Sequence, residues 1–123
     1  MKNWVALKER YLRDNLPIRL GGIAANLARI KSFSQDVENS VAVESLLQES
    51  KWFIEWTAPD AEIEIAAELV ELQVQLACWQ CSWGTIWEDT EQRIQVADRA
   101  KMWSEKVLNF SGLLSVNSVG DRQ

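Results

Sequence analysis

The chain has 123 residues, 47% hydrophobic and 25% charged, with a formal net charge of −5, two cysteines and no histidine. That balance excludes general disorder and suits one globular domain, long enough to build a core without disulfide or metal staples. Without histidine no Ser-His-Asp or Cys-His catalytic arrangement can form within the chain. Nor can a Glu-x-x-His di-iron bundle or most zinc sites.

Strand signals are missing, since there is no sustained alternation and no Asn-Gly or Asp-Gly turn, so every segment reads as helix. A short first helix starts near Asn3, a plausible N-cap, and runs to Arg13, with Trp4, Leu7 and Tyr11 on one face. The run Asp14-Asn15-Leu16-Pro17 breaks or kinks it. A second helix continues to about Phe33. Its Leu20, Ile23, Leu27 and Ile30 step by three, four and three, while Gly21, Gly22, Ala24, Ala25 and Ala28 keep it thin enough for a neighbour to approach closely.

Asp36 is the expected cap of a third helix that ends before Pro59, with Val43, Leu46, Leu47, Ser50, Phe53, Ile54 and Thr57 as its buried seam. Thr57-Ala58-Pro59-Asp60 opens the fourth, with Thr57 as cap and Asp60 and Glu62 favouring the positive end of the helix dipole. Its seam is Ile65, Leu69, Leu72, Leu76, Trp79 and Trp83, and Gly84 is the expected stop. A fifth helix starts at the capping box Thr85-Ile86-Trp87-Glu88, with Asp89 as a rival cap. It carries the seam Val96, Ala100, Trp103, Val107, Phe110 and Leu114 and ends near Gly112. Short connections between long helices predict an all-α fold, an antiparallel up-down four-helix bundle with an extra or kinked N-terminal helix. Residues 1–114 form its single domain, and 115–123 a flexible C-terminal tail.

Charge is sorted along the chain. Residues 1–33 hold seven Lys/Arg and two acids, residues 34–92 one Lys and thirteen acids, and residues 93–123 five Lys/Arg and three acids. A basic N-terminal layer lying against an acidic middle layer is expected. The overall acidity argues against a nucleic-acid partner. The longest charge-free run, 72–87, is interrupted by polar residues and is too short to cross a membrane. No signal peptide is visible. A soluble cytoplasmic protein with no membrane partner is expected.

Seven tryptophans stand out in a chain this short. Trp79, Trp83 and Trp87 recur every fourth residue and share a helical stripe, and Trp52 and Trp56 repeat that spacing. On the third helix Trp52 and Trp56 lie roughly 120–160° from the seam. They are either covered by the N-terminal helix through Trp4 and Leu7 or left as an interface. The fourth helix is apolar on two opposite sides. Roughly 140–180° from its seam lie Ile63, Val70, Val74, Ala77 and Cys81, with Ala66, Ala67 and Cys78 beside them. Such a helix is packed on both sides, either inside the monomer or across a homodimer.

Three motifs suggest chemistry. Cys78-Trp79-Gln80-Cys81 has redox spacing, but it sits near a helix C-terminus, where the dipole opposes thiolate formation, and the two thiols read as buried small hydrophobes. The paired glycines lack the wider pattern of a phosphate loop. Glu68-x-x-Glu71 and Glu88-x-x-Glu91 loosely resemble the magnesium-binding acids of all-α nucleotide pyrophosphohydrolases, which would imply a magnesium site. With the turn near Gly84, however, Glu71 faces the region of Arg99 rather than Glu88, so these acids read as a solvated face.

The function expected from these features is a non-enzymatic interaction and oligomerisation module, with no cofactor and no metal. Its partner is itself or another protein, and its candidate interface is Trp52, Trp56, Ile63, Val70, Val74, Ala77 and Cys81. The alternative is a bundle holding an apolar or aromatic ligand in a pocket of Trp79, Trp83, Trp87 and Trp103.

Overall fold

The computed structural model describes residues 3–112, and the expected tail at 115–123 lies outside them. The fold is all-α. Asn3 caps α1 (Trp4–Leu12) by accepting from the Ala6 N–H at 3.1 Å. Asn15 caps α2 (Leu16–Phe33) by accepting from the Ile18 N–H at 3.2 Å, and Pro17 sits in its first turn, where the missing N–H costs nothing. Asp36 caps a 3₁₀ turn at Val37–Asn39 rather than the following helix directly, and α3 (Ser40–Thr57) begins after it.

Thr57 does not cap the next helix. It is the last residue of α3 and wholly buried, and its hydroxyl is engaged by Tyr11. A 3₁₀ turn at Ala58–Asp60 holds Pro59, Ala61 is extended, and α4 (Ile63–Cys81) follows. Gly84 is not a stop. The chain breaks at Ser82, and Gly84 lies inside a short α5 (Trp83–Glu88). Asp89, not Thr85, opens α6 (Thr90–Ser111), accepting from the Glu91 and Gln92 N–H groups at 2.9 and 3.2 Å. These bonds to Gln92, first from its backbone and then from its side chain, together with the Glu91 N–H, hold the Asp89 carboxyl below its ordinary pKa. Gly112 ends α6 at φ 78°, a left-handed conformation that costs glycine little.

Most of the expected seam residues are buried core; Leu46, Ile65 and Phe110 are partly buried against it, and Leu114 lies outside the described residues. Leu20, Ile23, Leu27 and Ile30 of α2 meet Val43, Leu47 and Ile54 of α3, Leu69, Leu72 and Leu76 of α4, and Val96, Ala100 and Val107 of α6 in one apolar cluster. The small residues of α2 do what their size predicts. α2 packs most extensively on α6, where the Ser104 hydroxyl donates to the Ala24 carbonyl at 2.8 Å, and α3 packs on α2 and on α4. The 330 Å³ cleft between α4 and α6 and the ion pair of Lys106 with Glu68, at 2.7 Å, mark a looser seam between those two helices.

α1 is held against this frame by Tyr11. Its ring stacks on Phe53, centroids 4.1 Å apart, and its hydroxyl donates to the Arg19 carbonyl at 2.9 Å. That uses the only proton on the phenol, so the Thr57 hydroxyl donates to the Tyr11 oxygen at 2.8 Å. Beside them Arg19 is buried, and its Nη1 donates to the Trp56 carbonyl at 3.2 Å and to Asp60 Oδ2 at 3.0 Å. Here a residue of the basic N-terminal stretch meets one of the acidic middle stretch.

Burial pushes the Tyr11 pKa from 10.0 up to about 12, against the lowering effect of the Thr57 bond. An acid raised in the folded state stabilises the fold fully below its unfolded pKa and loses that contribution as pH climbs toward the folded value. Urea midpoints measured against pH should therefore fall between pH 10 and 12. Tyr11→Phe should sacrifice about 1 kcal/mol per lost hydrogen bond at neutral pH but show a flatter alkaline decline. Equal slopes for the two proteins in that window would show that Tyr11 is not buried as described.

Candidate interaction surface on α4

α4 owes its site to its angular pattern. Leu69, Leu72, Leu76 and Trp79 turn inward and are buried, and the opposite side carries the second apolar stripe. In the single chain that stripe is open. Ile63 is 80% exposed, Val70 49% and Val74 58%. Ala67, Ala77, Cys78 and Cys81 are exposed too, while Ala66 is half-buried. Among the described residues no element packs over this side.

Its two borders differ. Toward α3, Gln73 donates to the Lys51 carbonyl at 3.1 Å, Lys51 Nζ donates to Gln80 at 2.6 Å, and Gln80 donates to Gln48 at 3.2 Å. These amides are occupied in holding α4 to α3, with the Lys51 ammonium among them and the exposed Glu62 at the end of the border. Toward α6 the border is acidic, with Glu64 and Glu71 exposed and Glu68 paired to Lys106. Beyond it on α6 lie Arg99, which the sequence already set opposite Glu71, and Met102, which it did not single out. Both are exposed, and they line a shallow hollow with Gln95 and Asp98. They lie three residues apart on one side of α6, away from its buried seam, where a single methionine among polar residues makes no apolar pattern.

The cysteines correct an expectation. Cys78 and Cys81 are exposed rather than buried, because their angular positions fall on the outer stripe and away from the Leu72–Trp79 side. Among the described residues no group of three or more Cys, Asp or Glu is placed to hold a metal ion. No helix of the described residues is long and apolar enough to cross a membrane.

The tryptophans fall into two groups. Trp52 and Trp56 are half-buried beneath α1. Trp4 meets Trp52 edge-on, Tyr11 lies 5.8 Å from Trp56, and Lys8 Nζ sits 5.9 Å from the centre of the Trp56 ring. This patch is separate from the α4 stripe and largely occupied from within. Trp79, Trp83, Trp87 and Trp103 are buried to within 5–6% exposure. Trp83 and Trp87 pack with ring centres 5.1 Å apart, and their indole N–H groups donate to the carbonyls of Ser40 at 3.3 Å and Val37 at 2.8 Å. They pin α5 to the segment that opens α3. Of the four, only Trp79 reaches the cleft between α4 and α6, whose other walls include Gln75, Cys78, Gln92 and Arg99. A mostly polar rim with a single indole differs from a pocket shared by four tryptophans.

No family model, no curated protein and no solved structure matches this chain.

Because Trp103 fills core space, Trp103→Ala should cost about 3–5 kcal/mol of stability, read from denaturant unfolding. A cost below about 1 kcal/mol would place the ring at the surface.

Proposed function

We propose that this chain is a non-enzymatic, all-α interaction module that works by associating with a second copy of itself through the outer face of α4. The observation that carries this reading is the solvent exposure of Ile63, Val70 and Val74 on a face that bears no charge along its centre line. Single exposed apolar residues are ordinary, but a continuous line of them along one helix marks a contact surface. The remaining chemistry of the chain is structural. The Tyr11 phenol, the Thr57 hydroxyl and the Nη1 of Arg19 bond to one another or to the backbone. The absence of histidine removes the commonest acid–base catalyst.

The competing reading, a Trp-lined ligand pocket, has less support. The indoles that would form it fill core space, and two of them bond to backbone carbonyls. Trp52 and Trp56 support an interface with another molecule less than the α4 stripe does, because α1 already lies on them.

Self-association should appear as a rise in weight-average mass across the micromolar range in sedimentation or light scattering. Val74→Glu puts a charge in the middle of the stripe and should weaken association at least tenfold. Because Val74 is a surface position in the lone subunit, stability should change by no more than about 0.5 kcal/mol. A wild-type chain that stays monomeric throughout, or a Val74→Glu variant that still dimerises, defeats the proposal.

A further inference from the structure

The stripe on α4 reads almost the same in both directions. Its members Ile63, Ala67, Val70, Val74, Ala77 and Cys81 step by four, three, four, three and four. Reversal about position 72 exchanges Val70 with Val74 and Ala67 with Ala77, and leaves only the two ends unlike. We infer that two copies pair α4 against α4 antiparallel, about a two-fold axis level with Leu72. Val70 then lies against the partner's Val74, Ala67 against the partner's Ala77, and Ile63 against the partner's Cys81. This register rests on the self-association proposed above.

Three observations carry it. First, a two-fold interface must be complementary to itself. In an antiparallel pair each residue meets a different residue of its copy, and the near-reversible order sets valine against valine and alanine against alanine, so side chains of matched size meet along the seam. The alternating steps of three and four also match a seam of period 3.5, which two helices share when they wind gently around each other. The alanines on either side of the valines allow close approach, and opposed helix dipoles favour the antiparallel sense.

Second, area requires more than α4. The 19 residues of α4 span about 28 Å. A strip of that length and about 10 Å wide covers roughly 300 Å², well short of the ~800 Å² per partner of an ordinary stable interface. The neighbouring edge must contribute, and the antiparallel arrangement brings the α6 edges of both copies to the same side. Met102, exposed on α6 and sharing a hollow with Arg99, offers apolar area on that edge.

Third, charge on that side is complementary. Glu68 is level with Lys106, and Gln75 lines a common cleft with Arg99, so Arg99 stands near the level of the axis. Glu71 is exposed at that level. Arg99 makes no salt bridge among the described residues. Two Glu71 carboxylates near the axis would repel each other, and two Arg99 guanidinium groups compensate, each reaching the opposite copy's acid. The other side carries the amides of Gln73 and Gln80, the Lys51 ammonium bonded to Gln80, and the exposed Glu62 at its end.

Cross-linking tests the register. In a Cys78→Ser, Cys81→Ser background, Ala67→Cys and Ala77→Cys are prepared as separate proteins, oxidised mildly alone and as a mixture, and run on a non-reducing gel. Residue 67 and the partner's residue 77 are side by side in the proposed pair, within disulfide reach. Like positions are about 15 Å apart along the axis, beyond it. A disulfide-linked dimer should therefore form in the mixture and not in either protein alone. Linkage of either variant with itself would overturn the antiparallel register and point to a parallel one. A dimer seen by sedimentation that gives no linkage in the mixture would overturn the α4 pairing while leaving self-association standing. A monomer by sedimentation would end both. The wild-type cysteines give an independent check on an unmutated stripe. Cys81 and the partner's Cys81 are about 27 Å apart in this register, so oxidation of the wild-type dimer should leave it unlinked. Ready linkage through Cys81 would contradict the arrangement.

Discussion

A helix has room on its surface for one wide apolar face, and α4 carries two. The inner one is dictated by the common core. Leu69, Leu72 and Leu76 are fully buried among residues of α2, α3 and α6, and that packing fixes the rotation of α4 about its own axis. Once the rotation is set, the outer stripe has no freedom. Turning Val70 and Val74 away from water would lift the leucines out of the core, and each buried leucine is worth about 1.5–3 kcal/mol. The exposed stripe is thus a geometric consequence of the core seam, held outward by a much larger energy than its own exposure costs.

The rest of the molecule shows how the chain deals with apolar surface when it needs to cover it. Trp52 and Trp56 also lie off the seam of their helix, and there the N-terminal segment supplies a lid. α1 brings Trp4 and Tyr11 across them, and Tyr11 is anchored by stacking on Phe53 and by hydrogen bonds to α2 and the end of α3. The buried Arg19 ties the same corner by capping the last turn of α3 and pairing with Asp60. The chain therefore has an extra helix and uses it on α3. The contrast gives the bare face of α4 its meaning, because one off-seam patch is covered from within and the other is left to the solvent.

Much of this was legible in the sequence because it follows from period and residue type. The core seams of α2, α3 and α4 were marked by steps of three and four, and the second stripe of α4 by the same arithmetic half a turn away. Less legible were features that depend on long-range partners. Thr57 has the chemistry of a cap, and nothing local says that Tyr11, 46 residues earlier, takes its hydroxyl instead. Gly84 looks like a stop, but the next turn is stabilised by Trp83 and Trp87 bonding to the segment before α3, so the glycine is carried into α5. The spacing of Trp79, Trp83 and Trp87 predicts one helical stripe, but the chain breaks at Ser82, so Trp79 stays on α4 while Trp83 and Trp87 lie on α5. Whether such indoles line a hollow or fill it depends on helix separations that no residue pattern encodes. Met102 escaped notice because it is a lone apolar residue among polar ones on its side of α6.

The residues chosen for the outer stripe fit a surface that must live in water part of the time. Leucine or phenylalanine there would give a stronger contact and a large apolar patch on the free subunit, the condition under which unspecific association begins. Valine and alanine expose less area and carry little side-chain entropy to be lost on contact. What they sacrifice in area is partly recovered in distance, since small side chains let two backbones come close and make dispersion contacts along the whole helix. Charge then provides direction. Each copy carries a net −5, so random encounters are repelled at long range. In the proposed dimer, the orientation that sets Arg99 near the opposing Glu71 offsets part of that repulsion where the surfaces would meet. A weakly apolar stripe with one acidic border would then favour one approach over many.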